Sequence, residues 1–137
     1  MKVEKVQCID CHSGVAAKKK ETFDAIKKRC VECLDQSYGD MAVQWKTTSE
    51  QLLKKTAQKM AEVKAEIDRI ELRGGHTFVY RKLYGDAEVN FNLAKRGNGI
   101  HNLEYMKDLL GYADSRLNAA LKQLAKSKQE ISKGRIF

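Results

Sequence analysis

The chain has 137 residues, enough for one domain with a core and too few for two comfortable ones. Charged residues make up 32% and hydrophobic residues 42%, a balance that fits a soluble, helix-rich globular protein and excludes global disorder. No run approaches the roughly 18 apolar residues that a transmembrane helix needs, so no transmembrane segment is expected.

The net charge is +8. Lysines spread over solvated helix faces account for it, and a basic surface can also meet nucleic acid, anionic lipid or an acidic protein. The first residues, Met1 to Val6, carry charges with no apolar stretch after them, so no export signal is legible.

Residues 1–36 hold all 4 cysteines and few large apolar side chains. Such a segment cannot build a core alone, and covalent or metal cross-links are the expected means of organising it. Within it, Ala16 to Arg29 reads as helical. From about Met41 to Leu72 the spacing predicts a helix. Trp45, Leu52, Thr56, Met60, Val63, Ile67 and Ile70 fall on one stripe, and Gly74-Gly75 ends it. A second helix is predicted over about Thr77 to Lys95, striped by Tyr80, Tyr84, Ala87, Phe91 and Ala94. Gly97-Asn98-Gly99 reads as a turn. A third helix is predicted from about Asn102 to Ile131, with Asn102 as N-cap and Leu103, Met106, Leu110, Ala113, Leu117, Leu121 and Leu124 as its stripe. The absence of proline permits helices of this length. The expected fold class is all-α, an antiparallel bundle of about three long helices with the cysteine-rich segment packed on it. The stripes fit an intramolecular bundle or a homo-oligomer interface equally well.

Cys8-Ile9-Asp10-Cys11-His12 has the c-type haem attachment pattern. Two thiols three positions apart can form thioethers to the two vinyl groups of a porphyrin edge, and the next residue is then held where its imidazole can ligate the iron. Zinc is the rival. Cys8, Cys11, Cys30 and Cys33 also have the spacing of a four-thiolate site, and on spacing alone the two readings stand level. The helical look of the intervening stretch weighs against a zinc ribbon, and zinc leaves His12, His76 and His101 unexplained. A thiol-disulfide role for either pair would call for a strand-helix unit, and none is legible.

Two longer stretches bear on this choice. Cys30-Val31-Glu32-Cys33, then Tyr38-Gly39-Asp40-Met41 and Trp45-Lys46, resembles a segment of bacterial multihaem c-type cytochromes, where a haem motif leads into a long helix. Gly97-Asn98-Gly99-Ile100-His101-Asn102-Leu103-Glu104-Tyr105 resembles a second segment of those proteins and is similar to a pattern in the ammonia-forming nitrite reductases. The resemblance implies a C-terminal helical haem domain, in which residues 1–36 are the attachment segment and 37–137 the bundle of a single cytochrome domain. It implies that His101 ligates iron opposite His12. His76, beside the predicted helix end at Gly74-Gly75, is the alternative distal ligand. Met41, Met60 and Met106 read as core.

The family pattern wants histidine after the second cysteine pair, and this chain has Leu34. Two bis-histidine haems need four histidines and the chain has 3. One haem c is therefore expected at Cys8 and Cys11. Cys30 and Cys33 are left as free thiols, a disulfide, a haem lacking its proximal ligand, or part of a metal site.

The expected function is electron transfer, with no catalytic residues. No paired carboxylates or serine-histidine-acid set stands out, although an open iron at a second haem would permit small-molecule redox chemistry. The expected partners are redox proteins, acidic ones suiting the lysines, and no nucleic acid. Haem attachment implies export, so the expected location is the periplasm or cell surface, with the chain a piece of a larger protein. The alternative is a zinc-binding helical module with a basic, nucleic-acid-binding surface.

Overall fold

In a computed structural model, Gln7, Asp10, His12, Gly14 and residues 22–132 are described. The fold is all-α, and no strand occurs among the described residues. The helices are α1 (Phe23–Cys33), α2 (Gln36–Leu72), α3 (Phe78–Gly97) and α4 (Leu103–Ser132). Of the predicted helical stretch Ala16 to Arg29, residues 16–21 lie outside the description. The chain divides into two compact units between Trp45 and Lys46, inside α2.

In the first unit, the Thr22 hydroxyl caps α1 by accepting from the Ala25 N–H at 3.3 Å. α2 begins at Gln36, earlier than its apolar stripe predicts. Asp35 explains the early start. Its carboxylate accepts from the Ser37 hydroxyl and from the Ser37 N–H, the latter at 2.7 Å, as a helix N-cap does. These bonds hold the Asp35 carboxyl below the ordinary range. No residue of α1 is buried. Among the described residues up to Trp45, only Gly14 and Gly39 are buried, so no side chain there forms a core.

The second unit has a real core. Met60, Val63 and Ile67 from α2 meet Ala87 from α3 and Ala113, Leu117 and Ala120 from α4. Tyr80, Leu83, Tyr84, Phe91 and Leu121 pack around them. A second cluster joins Ala94 to Met106 and Leu110. Most of these are the predicted stripe positions, because burial of one face is what drives such helices together. Ala120 is buried as well, on the same face between Leu117 and Leu124.

Polar pairs record the helix directions. Lys59 Nζ donates to Asp114, and Lys128 Nζ pairs with Glu66 at 2.6 Å, so residue numbers rise together along α2 and α4. Tyr80 meets Ser127 hydroxyl to hydroxyl at 2.6 Å, while Ala94 clusters with Met106, so α3 counts against α4.

The joints are built by local chemistry. Gly74 takes a left-handed φ of 75°, as a helix-ending residue does, and its N–H donates to the Glu71 carbonyl at 2.8 Å. Thr77 caps α3 without a side-chain bond to it. Its hydroxyl instead donates to Glu71 at 2.6 Å, and Arg81 grips the same carboxylate through two nitrogens. Asn98 ends α3 at a φ of 54° with its N–H on the Ala94 carbonyl at 3.1 Å. Asn102 caps α4 as predicted, accepting from the Tyr105 N–H at 3.0 Å.

Candidate functional site

The chemistry-bearing residues lie in both units. Cys8 and Cys11 lie outside the described residues. Their neighbours Gln7 and Asp10 bond reciprocally: the Asp10 N–H donates to the Gln7 carbonyl at 3.0 Å, and the Gln7 N–H donates to the Asp10 carboxylate at 2.7 Å. His12 is half-buried.

Cys30 and Cys33 occupy the last turn of α1. They are free thiols with no disulfide between them, Cys30 half-buried and Cys33 exposed. Residues three apart on a helix are surface neighbours, with Cβ atoms about 5–6 Å apart. Leu34 follows as the C-cap, 50% exposed, and its N–H donates to the Cys30 carbonyl at 2.9 Å. A hydrocarbon side chain there offers no donor to iron.

The remaining histidines belong to the second unit. His101 sits exposed in the turn between α3 and α4, directly before the capping residue Asn102. His76 sits exposed between Gly75 and Thr77, before α3. The helix between them has 20 residues, which at 1.5 Å per residue is about 30 Å of axis. One iron cannot accept both.

His76 lines a cavity of about 300 Å³ with Ile70, Tyr80 and Leu124 as apolar wall and Arg69 and Lys128 at its edge. Glu66 holds those two cations, at 2.5 Å from Arg69 and 2.6 Å from Lys128, and Lys128 above all keeps its carboxyl below the ordinary range. Sequence reading singled out neither this cavity nor the Glu71–Arg81 grip. Their members come from different helices, and no local spacing marks them.

Sequence reading also missed Ser49. It is fully buried on α2, and its Oγ has no hydrogen-bond partner. Gly99, in the His101 turn, lies against it. Of the methionines read as core, Met60 and Met106 are buried and Met41 is half-buried.

Among the described residues, no three His, Cys, Asp or Glu side chains gather as a metal-holding group. A cysteine pair followed directly by an imidazole, as Cys8, Cys11 and His12 are in the sequence, is a donor set that would suit a covalently attached haem. No helix is long and apolar enough to cross a membrane, among the described residues. Comparison with known protein families, characterised proteins and solved structures finds no match to this chain.

Proposed function

We propose that this chain is an electron-transfer module carrying one c-type haem on Cys8 and Cys11, with His12 as the proximal ligand. The observation that supports this best is the first unit itself. It holds the Cys8-x-x-Cys11-His12 motif, yet no side chain among its described residues is buried. Residues 1–36 also carry few large apolar side chains, and so short a stretch calls for a staple. A covalently held porphyrin supplies both cross-links and apolar surface.

When bound, the haem would provide a one-electron ferric/ferrous couple whose potential follows axial ligation, burial and nearby charge. The chain's own part is to hold and tune it. Cys8 and Cys11 would hold the ring edge through thioethers formed by adding their thiols to the vinyl groups, and His12 would donate an imidazole nitrogen to the iron. His101 is the proposed second donor, with His76 as the alternative. Leu34 offers no donor beside the second cysteine pair, and in this reading Cys30 and Cys33 remain the free thiols they are in the structure.

In this reading residues 1–36 and 37–137 work as one cytochrome domain, and the helices over residues 46–132 form an antiparallel bundle. The paired residues of α2, α3 and α4 support that arrangement. The +8 charge suits an acidic redox protein as partner, and neither substrate nor nucleic acid is part of the reading. The chemistry of thioether attachment puts the working protein in the periplasm or at the cell surface.

Intact mass after co-expression with haem-maturation machinery tests the proposal, together with absorbance of the reduced pyridine complex. The expected result is the mass of one haem and a sharp c-type band on reduction. A colourless protein binding one zinc through Cys8, Cys11, Cys30 and Cys33 would replace this reading with the zinc module.

A further inference from the structure

We propose that the cavity between the end of α2, the start of α3 and the later turns of α4 binds a small organic monoanion: a ring-sized apolar body bearing one carboxylate. The site lies wholly within the second unit and does not rest on the proposed haem. Its volume, about 300 Å³, is at the lower end of the range for small-molecule sites. A cavity of about 150 Å³ holds benzene, so this one has room for a single substituted ring.

The lining divides by chemistry. Ile70, Tyr80 and the buried Leu124 supply the apolar wall. The two hydroxyls of the lining satisfy each other. Tyr80 meets Ser127 at 2.6 Å, and Ser127 Oγ reaches the Gln123 carbonyl at 3.2 Å. They call for no polar ligand, so the body of the occupant is apolar. Arg69, Arg73 and Lys128 stand against one carboxylate, Glu66. Glu66 pairs with Arg69 at 2.5 Å and with Lys128 at 2.6 Å. Arg73 has no ion pair among the described residues. It follows Leu72, the last residue of α2, where the helix dipole favours a cation, but that end carries only about half a charge. An excess of roughly one positive charge is left, on a planar guanidinium that can take a carboxylate through two N–H groups.

The rim is built before any ligand arrives. The Gly75 N–H donates to the Ile70 carbonyl at 3.0 Å, and a Cβ on Gly75 would run into the Ile70 side chain, so the turn lies directly on the wall. Thr77 and Arg81 fasten the next stretch through Glu71. A rim held this way costs little to order on binding.

The test titrates benzoate, its neutral isostere benzamide and inorganic phosphate into the full chain. Amide NMR shifts at residues 75, 76 and 127 and the heat of binding are read. Benzoate should saturate at one per chain and shift those amides, with benzamide and phosphate at least tenfold weaker. Arg73→Gln should weaken benzoate at least tenfold, because a charge-assisted pair is lost. Lys95→Gln removes the same charge outside the lining, in the last turn of α3, and should change binding less than twofold. Ser127→Leu fills the cavity, keeps every cation and should abolish saturation. If it does not fold, Arg73→Gln against Lys95→Gln carries the comparison.

No saturable shift with benzoate overturns the site. Equal losses for Arg73→Gln and Lys95→Gln would mean that net charge, not the cavity, attracts the anion, and the site fails. Phosphate binding as tightly as benzoate overturns the apolar body, and benzamide binding as tightly overturns the carboxylate.

Discussion

His76 and His101 bracket α3, one before its first turn and one after its last, with about 30 Å of helix between them at 1.5 Å per residue. A single iron can use at most one of them. His101→Ala is expected to turn a low-spin spectrum high-spin and raise the reduction potential, whereas His76→Ala leaves both unchanged. The opposite pattern would move the sixth ligand to the far end of α3. Equal, partial effects from both would show that neither is a ligand.

The joint between α2 and α3 is acid-sensitive. Arg81 and then Thr77 bond the Glu71 carboxylate and bring its pKa from 4.5 to about 2. A lowered carboxyl pKa stabilises the fold fully above the unfolded value and loses that effect as pH falls through the folded one. The joint should therefore be intact above about pH 4.5 and loosen between there and about pH 2. Amide exchange at residues 73–77 followed down this range is the check. Glu71→Gln should show the loosened exchange already at pH 7 and little further change on acidification.

Core and surface should separate cleanly. Ala113 is 0% exposed within the three-helix cluster, while Tyr112 beside it is 43% exposed. Ala113→Leu forces added bulk between close helices and should destabilise by about 1–3 kcal/mol. Tyr112→Leu should stay within about 0.5 kcal/mol. Asp114→Asn weakens the Lys59 ion pair between α2 and α4, whose carboxylate is 40% exposed, and should cost no more than about 1 kcal/mol. Urea unfolding of the three variants ranks them. A loss for Asp114→Asn equal to that of Ala113→Leu would mean that the ion pair, not apolar packing, sets the stability of this unit.

The same comparison shows what was legible in the sequence. Helix periodicity found Met60, Val63, Ile67, Ala87, Leu110 and Leu117 because burial selects one face of each helix. Asn102 as a cap followed from its place before an apolar series. The early start of α2 was hidden, since residues 36–40 carry no stripe and the helix is begun by Asp35. Ser49 was hidden for another reason. Serine looks polar in any window, and its burial follows from Gly99, fifty positions later in the chain. The cavity beside His76 draws on α2, α3 and α4 together, so no one stretch announces it.

Cys30 and Cys33 give the sharpest count. They are free thiols on the last turn of α1, Cys33 exposed and Cys30 half-buried, and Leu34 follows without a donor. Thiols with this accessibility react with iodoacetamide in the order of their exposure. After haem maturation, native alkylation should add two labels, at Cys33 before Cys30, on top of the mass of a single haem. Cys30→Ser with Cys33→Ser should leave that haem in place, and Cys8→Ser with Cys11→Ser should remove it. Two haem masses with no alkylation would mean that the second pair also holds a porphyrin, with an iron lacking a neighbouring histidine and therefore open to a small ligand. Carbon monoxide binding to the reduced protein would then separate the cases, since a bis-histidine iron resists it and an open one takes it up at once.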